Sequence, residues 1–265
     1  MKFQEIFRFE FVYQARGVRT WLYFAVLFVV AYQLKRTAGG GDILVTSPYE
    51  NAQETVLTVL LWVLMAPAVA GSAAARDVQT RMHPLIYAAP ISKADYLGGR
   101  FLAAFVLNAV ILLAVPLGIL AAVYLPGREP ELVGPLRPAV YLSSYGVLAL
   151  PTAFTFTAVQ FSVAALNRRA ILSYLGTVIF FVVGGAAGGL VRNVLQMPDL
   201  GKLLDPTCRM TVLLLMSDTL TPLEKNTVLI ALESSILANR FAWMGVAFAI
   251  LAFTYIRFRL GHRAG

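Results

Sequence analysis

The stretch FLAAFVLNAVILLAVPLGILAAVY, residues 101–124, decides the fold class of this chain. It contains no Asp, Glu, Lys, Arg or His, and it exceeds the roughly 20 mostly apolar residues that a helix needs to cross a bilayer. The rest of the chain has the same character, since 58% of its 265 residues are hydrophobic and 14% are charged, with a mean hydropathy of +0.72. A soluble domain is usually about half apolar and about a quarter charged. Lipid is therefore predicted to surround most of the chain.

Six apolar stretches, this one included, qualify or nearly qualify as spanning helices. They are Thr20 to Leu34, Val56 to Ala75, Phe101 to Tyr124, Pro138 to Leu166, Ala170 to Val191 and Phe241 to Ile256. The first and last are short, so flanking residues or snorkelling side chains such as Lys35 and Arg257 must complete them. Pro67, Pro116 and Pro151 predict kinks within spans. The sequence thus predicts an all-α membrane protein with six transmembrane helices in one domain, residues 1–265.

Basic residues are divided unevenly between the two ends of these spans. With the N-terminus inside, the inner segments hold thirteen basic residues against four acids, and the outer segments hold nine against ten. The inner thirteen are Lys2, Arg8, Arg16, Arg19, Arg76, Arg81, Lys93, Arg100, Arg168, Arg169, Arg257, Arg259 and Arg263. Because cytoplasmic loops carry the excess of Lys and Arg, both termini are predicted to face the cytoplasm, with the chain in the inner (cytoplasmic) membrane of the cell. Membrane lipids then account for the net charge of +8, and no nucleic acid partner is expected because the basic residues are not clustered on one face.

The segment before the first span, Met1 to Arg19, predicts an amphipathic helix. Its apolar residues recur at intervals of three and four, while its charged residues face elsewhere. The apolar set is Phe3, Ile6, Phe7 and Phe11, and the charged set is Lys2, Glu5 and Arg8. Such a helix lies along the inner membrane surface, and the simpler alternative is an aromatic anchor at the interface.

The outer segment from Arg192 to Arg240 is too long for a plain connection. Its apolar run Met210 to Met216 is too short to span, and Thr221-Pro222-Leu223-Glu224 signals the start of a helix running toward Leu237. Two interpretations stay open: a re-entrant or interfacial element in the outer leaflet, or a small packed outer subdomain.

The inner segment from Arg76 to Arg100 contains the most informative local pattern. Pro84 favours a first helical position and Pro90 stops a helix, so about one turn fits between them. That turn carries Leu85, Ile86 and Tyr87. Ser92, with Asp95 three residues later, is a capping pattern for the next helix. The apolar side chains of the short helix need cover, either from the bilayer surface or from a partner protein.

Catalytic and metal-binding residues are scarce. The chain has one cysteine, Cys208, and two histidines, His83 and His262, in separate regions. No HExxH, CxxC, GxSxG or GxxxxGK[ST] motif occurs in the sequence. No catalytic, cofactor-binding or metal-binding residue and no cofactor are therefore expected, and Cys208 is interpreted as a small apolar residue.

The predicted spans contain no Asp, Glu, Lys, Arg or His between their flanks. Ion-coupled carriers, channels and intramembrane hydrolases usually keep such groups at depth, so these classes are disfavoured. The polar residues within the spans are interpreted as interhelical hydrogen-bond partners: Asn108, Thr152, Thr155, Thr157 and Gln160. Two small-xxx-small patterns predict close helix packing within the chain or between copies, formed by Gly184, Gly185, Gly188 and Gly189.

The stretch LIYAAPISKADYLGGR, Leu85 to Arg100, resembles the cytoplasmic loop of ABC-2 type permeases, the membrane subunits of ATP-driven ABC transporters. In that family a charged stretch leads to paired aliphatics, then Pro-Ile-Ser-Arg or a close variant, then Tyr and a Gly-Lys or Gly-Arg entering the third span. Arg76, Asp77 and Arg81 stand where the charged stretch belongs, although it is poorer in glutamate than usual.

Three later stretches resemble the permease portion of bacterial proteins in which such blocks precede a zinc aminopeptidase domain. They are Gly201 to Pro206, Glu224 to Thr227 and Ala238 to Trp243. The chain itself contains no peptidase motif. It is expected to be either a stand-alone relative or an N-terminal piece of a longer protein.

These resemblances imply a permease subunit without catalytic activity of its own. The family arrangement is a homodimer or pseudo-dimer of six-helix blocks above two cytoplasmic ABC ATPase subunits, which bind ATP and power export of a substrate. The inner loop would be the coupling helix, with contacts from Leu85, Ile86, Tyr87, Pro90, Ile91, Ser92 and Lys93. The rival hypotheses are a membrane anchor or scaffold for a peptidase, an ion-coupled carrier or channel, and an intramembrane enzyme.

Overall fold

The structure, a computed structural model, describes residues 2–38, 42–84, 90–125, 132–215 and 219–259, with residues 214 and 215 described by their backbone alone. Its α-helices are α1 (Lys2–Ala15), α2 (Val18–Thr37), α3 (Pro48–Met65), α4 (Pro67–Gln79), α5 (Lys93–Leu112), α6 (Ala114–Tyr124), α7 (Pro138–Ser143), α8 (Leu150–Asn167), α9 (Ile171–Asn193), α10 (Pro198–Leu204), α11 (Pro222–Thr227) and α12 (Ser234–Arg257). Two π-helical segments, Ser144–Ala149 and Met210–Leu215, and a 3₁₀ turn, Ile230–Leu232, complete the described elements. The all-helical prediction is confirmed.

Five helical stretches are long and apolar enough to cross a membrane. They are Pro48–Gln79, Lys93–Tyr124, Pro138–Asn167, Ile171–Asn193 and Ser234–Arg257. A sixth candidate consists of α1 and α2 together, with a bend of 65° between them. The predicted first span, Thr20 to Leu34, lies within α2, so the first helix of the bundle follows a sharp elbow near Gly17.

Three spans are interrupted at or near the prolines at which the sequence predicts kinks. Proline lacks an N–H and its ring clashes with the carbonyl four residues earlier, so it begins a helical segment more easily than it continues one. Pro67 is the first residue of α4, after the break at Ala66. Pro116 follows the break between α5 and α6, and Pro151 follows the π-helical segment. Each of these spans therefore consists of two or more helical segments rather than one regular α-helix.

The central helix of the bundle is α8, which packs against α4, α5, α9 and α12. Within the most apolar 18 residues of its span, 72% are buried inside the protein. The corresponding share is 11% for α9 and 22% for α12. One face of α9 is lined by exposed Leu175, Val178 and Val182. An apolar helix with so little internal packing is suited to face lipid or a second copy.

Most of the polar residues within the spans form the expected interhelical hydrogen bonds. The Asn108 amide donates to the Thr157 hydroxyl at 3.1 Å, and the Thr155 hydroxyl donates to the Trp243 carbonyl at 3.4 Å. Thr152 accepts a hydrogen bond from Arg240 at 2.6 Å. Gln160 differs, because its buried amide forms no hydrogen bond with the residues that the structure describes.

The outer segment is more interrupted than the sequence predicts. The Thr221 and Glu224 capping box forms, but α11 ends at Thr227. The Glu233 carboxylate then accepts hydrogen bonds from the amides of Ser235 and Ile236 and so begins α12 at Ser234. The prediction of one helix running from the capping box toward Leu237 was therefore wrong.

The apolar run that follows Cys208 packs into a second hydrophobic core. Met210 and Val212 are buried, and Val212 belongs to a cluster with Tyr49, Leu148 and Ile236. The run therefore packs inside the protein, which both a packed outer subdomain and a re-entrant element buried in protein allow.

Lys35 is buried rather than snorkelling from the end of the first span. Its ammonium lies 3.1 Å from the Glu54 carboxylate of α3, and both side chains are almost wholly enclosed. A buried charge needs such a partner. The pair therefore joins α2 to α3 at the end of the bundle that carries the predicted outer segment, which we call the outer end.

Cys208 should be unreactive in the folded protein. Burial raises the pKa of its thiol, and Asp205 adds to this effect while the Arg240 guanidinium opposes it. Because thiol reagents attack the thiolate, a water-soluble disulfide reagent at pH 8 should label almost none of the native protein in detergent. Full labelling should follow unfolding in sodium dodecyl sulfate. Stoichiometric reaction of the native protein at the same pH would contradict the buried position.

Candidate functional site

Four charged side chains come together where α1, α4 and α5 meet. The Arg76 guanidinium of α4 binds the Glu10 carboxylate of α1 through both of its terminal nitrogens, at 3.0 and 2.5 Å. The Arg100 guanidinium of α5 lies 2.5 Å from the Asp77 carboxylate and 3.7 Å from that of Glu10. We call these four residues the charge cluster. Its two guanidinium groups and two carboxylates balance one another.

Neutral partners add further hydrogen bonds to the charge cluster. The Tyr96 hydroxyl donates to Asp77 at 3.0 Å, and the Gln14 amide donates to Glu10 at 2.6 Å. Arg100 also donates to the Ala73 carbonyl at 2.7 Å. Paired and hydrogen-bonded charges can be held in a buried position, whereas removal of one partner leaves an uncompensated charge. The cluster therefore fixes three helices relative to one another.

Two glycines let α1 approach α5 closely. A Cβ at Gly98 would lie 3.2 Å from the Phe3 ring, and a Cβ at Gly99 would lie 3.0 Å from the Ile6 side chain. These glycines directly precede Arg100 of the charge cluster. The Gly-Gly-Arg sequence thus provides both the close contact with α1 and the cation beside it.

The loop predicted to couple to a partner leaves the bundle beside the charge cluster. The Met82 amide donates to the Asp77 carbonyl at 2.8 Å, and Arg81 between them adopts the left-handed conformation with φ of 58°. At the other end Ser92 caps α5 by accepting from the Asp95 amide at 3.0 Å, which confirms the capping prediction. Three of the predicted coupling residues, Leu85, Ile86 and Tyr87, lie outside the described residues.

Pro90 and Lys93, two of the remaining predicted coupling residues, contact α1 and α12 near the two ends of the described chain. The Lys2 ammonium donates to the Pro90 carbonyl. Lys93 donates to the Ile256 carbonyl of α12 at 3.3 Å and lies over the Tyr255 ring at 4.7 Å. The exit of the loop is thus joined to α1 and to the end of α12.

Ile91 and Ser92 differ in exposure, because Ser92 is exposed and Ile91 is half-buried. Ile91 borders a cavity of about 350 Å³ between the loop and α1. Other lining residues are Ile6, Phe9 and Met82, together with all four residues of the charge cluster. A recess with a mainly apolar surface therefore lies directly beside the loop.

A second buried polar group lies at the opposite, outer end. The Asn239 amide donates to the carbonyls of Lys202 and Asp205 at 2.7 and 2.9 Å, and Trp243 donates to the Leu203 carbonyl at 2.9 Å. Arg240 donates to the Asn239 side-chain oxygen. The structure thus brings together the stretches at 201–206 and 238–243 that the sequence analysis singled out, and they bind α10 to α12.

The third stretch, Glu224 to Thr227, also connects separate parts of the chain. The Asn226 side chain accepts from the Leu44 amide at 2.9 Å and donates to the Asp42 carbonyl at 2.8 Å. Arg137 donates to the carbonyls of Asn226 and Thr227. The polar residues of these stretches are therefore engaged in holding outer loops together.

The four glycines of α9 in the small-xxx-small patterns fall into two environments. A Cβ at Gly184 would lie 2.7 Å from the Pro206 ring, and one at Gly188 would lie 3.1 Å from the Gly201 carbonyl oxygen. At Gly185 and Gly189 no atom of the described chain lies within 4 Å of that position. The first pair contacts the outer segment, whereas the second pair leaves space along α9.

Within the described ranges, no group of three or more His, Cys, Asp or Glu side chains is arranged to hold a metal ion. Comparison of the chain with protein-family models and with curated proteins found no match.

Sequence reasoning missed the part that Glu10 takes in the site. Positions 3, 6, 10 and 14 recur at helical spacing, which places Glu10 and Gln14 on the same face of α1 as Phe3 and Ile6. A carboxylate on an otherwise apolar face indicates a buried cationic partner. That signal was present, but it could not identify Arg76 as the partner.

Replacing Glu10 with Gln should destabilise the protein strongly, because Arg76 and Arg100 would lose a buried carboxylate. Removal of one partner from a buried ion pair costs about 3–5 kcal/mol. The exposed Glu5 of the same helix provides the matched control, Glu5→Gln. Thermal unfolding in detergent should show a large loss of stability for Glu10→Gln and little change for the control. Equal melting temperatures of the two variants would show that the charge cluster does not stabilise the fold.

Leu substitutions should separate the two glycine environments. Gly184→Leu forces a side chain against Pro206, and overpacking of this kind costs about 1–3 kcal/mol. Gly185→Leu has open space in a single chain and should leave its thermal stability unchanged. The measurement is thermal unfolding in detergent, with oligomer mass recorded alongside. If Gly184→Leu is as stable as the parent, the contact with the outer segment is not close. A change of oligomer mass in Gly185→Leu alone would assign this side of α9 to contact between copies.

Proposed function

We propose that the chain is the transmembrane permease subunit of an ATP-driven ABC-type exporter. A separate cytoplasmic ATPase subunit binds and hydrolyses ATP, and its closure is transmitted to the spanning helices through the loop between α4 and α5. The permease contributes no catalytic group of its own. It works as a homodimer or beside a second permease block in the inner membrane.

The observation that carries this proposal is the attachment of the loop to the bundle. Asp77 and Arg76 stand at its entry, and Tyr96 and Arg100 stand just beyond its exit, all joined through the charge cluster. A force on the loop would act on α1, α4 and α5 together, because their contacts are buried and ionic. A loop that merely connected two spans would need no such attachment.

The position of the described chain ends supports the proposed topology. Lys2 contacts Pro90, and Phe258, which follows α12, stacks on Tyr96 with 5.9 Å between the ring centroids. Both ends therefore lie on the same side of the bundle as the loop. The excess of basic residues on this side favours the cytoplasm.

The exposed side of α9 supports pairing with another permease block. Its apolar residues and the open space beside Gly185 and Gly189 would let the backbone of a neighbouring helix approach closely. Small residues at such positions favour helix association within a membrane.

The decisive experiment truncates the two aliphatic residues of the loop, Leu85→Ala with Ile86→Ala. Burial of each such side chain at an interface contributes about 1.5–3 kcal/mol, so their loss should reduce recovery of the ATPase tenfold or more. The matched control is Leu136→Ala with Leu223→Ala, two exposed leucines at the outer end. The tagged chain is purified from its own host, and ATP hydrolysis in the eluate measures the retained ATPase.

The expected result is loss of ATP hydrolysis with the loop variant and retention with parent and control. Normal membrane insertion and thermal stability of all three proteins would confirm that the fold is intact. Equal ATPase recovery from parent, variant and control would refute the coupling role. Retention of a peptidase in place of an ATPase would favour the membrane anchor or scaffold.

A further inference from the structure

A second, larger cavity lies in the elbow between α1 and α2. It has a volume of about 890 Å³ and is closed on its third side by Val69 and Ser72 of α4. We call it the elbow cavity. Its charged and aromatic lining includes Glu5, Arg8, Tyr13, Arg16, Arg19 and Tyr23.

The elbow cavity has an excess of positive charge. Arg8, Arg16 and Arg19 are exposed, and Glu5 is the one acid among the lining residues. No carboxylate in the described part of the chain forms an ion pair with any of these three arginines. This differs from the charge cluster nearby, in which each guanidinium has its own carboxylate. Three guanidinium groups around one cavity favour a phosphate, whose oxygens match their planar donors.

The start of α2 adds to the positive potential of the cavity. Gly17 is the N-cap of this 20-residue helix, and no side chain caps its first amides. Gly17, Arg19 and Thr20 all line the cavity. The first amides of a helix and its dipole favour an anion at this position.

The residues after the elbow indicate where the cavity lies in the membrane. Trp21 and Leu22 are more than half exposed at the start of α2, and the Trp21 ring nitrogen donates to the Ala15 carbonyl at 2.9 Å. Tryptophan is enriched at the level of lipid headgroups. The cavity therefore opens at the depth where lipid phosphates lie, on the side of the bundle that is rich in basic residues.

We propose that the elbow cavity binds the phosphate group of an anionic phospholipid. The guanidinium groups and the start of α2 bind the phosphate oxygens, while the ends of Tyr13 and Tyr23 are available to the rest of the headgroup. The bound lipid fills the angle between α1 and α2 and so stabilises the elbow. This site is independent of any ATPase partner.

The test compares three purified proteins in neutral detergent. They are the parent, the variant Arg8→Gln with Arg16→Gln and Arg19→Gln, and the control Arg169→Gln with Arg257→Gln and Arg259→Gln. The control removes the same charge from exposed arginines outside the cavity. Short-chain phosphatidylglycerol, short-chain phosphatidylcholine and inorganic phosphate are each titrated, and thermal stability and bound lipid mass are measured.

Phosphatidylglycerol should bind and stabilise the parent and the control more strongly than phosphatidylcholine does. The elbow variant should lose at least about tenfold in affinity, since each basic side chain near anionic lipid contributes about fivefold. If the triple variant unfolds without lipid, Arg16→Gln alone should still weaken binding. Equal phosphatidylglycerol binding by parent, elbow variants and control would overturn the proposal. Equal stabilisation by inorganic phosphate would support a phosphate site but overturn the lipid as its source.

Discussion

Arg100 and Arg76 lie against Asp77 and Glu10 where three helices meet, and the arrangement of the end of the bundle that carries the loop depends on this contact. A guanidinium removed from water needs both a carboxylate and further acceptors. Arg100 donates to Asp77 and to the Ala73 carbonyl, and the Tyr96 hydroxyl in turn donates to Asp77. These contacts hold α1 against α5 and place the entry and exit of the loop side by side. A purely apolar contact would bury similar area but would tolerate sliding of one helix along another.

At the outer end, other buried polar contacts likewise hold helices against one another. Asn239 and Arg240 of α12 hydrogen-bond to the carbonyls around α10, and Lys35 pairs with Glu54 between α2 and α3. Between the two polar ends the spans are apolar and interrupted near their prolines. Two ends held by buried polar contacts, joined by interrupted spans, suit the proposed transmission of movement from the loop to the outer segment.

The first helix links the two proposed sites. One face of α1 packs against Gly98 and Gly99 and carries Glu10 into the charge cluster. Its other face presents Arg8 to the elbow cavity. A lipid in the elbow and a partner on the loop would therefore act on the same helix from opposite sides. Tyr13 lies on the boundary, with its ring 4.1 Å from the Arg76 guanidinium.

The sequence by itself determined the helical class, the approximate spans, the proline interruptions and the caps at Ser92 and Thr221. Each depends on residues close together in the chain. The length of an apolar run determines a span, the missing N–H of proline an interruption, and a hydroxyl three residues before an amide a cap. Only the tertiary structure decided that Glu10 meets Arg76, that Lys35 is buried with Glu54, and where α11 ends. Those outcomes depend on the rotation and depth of helices distant in the chain, since a charge is satisfied by whichever partner packing brings within reach.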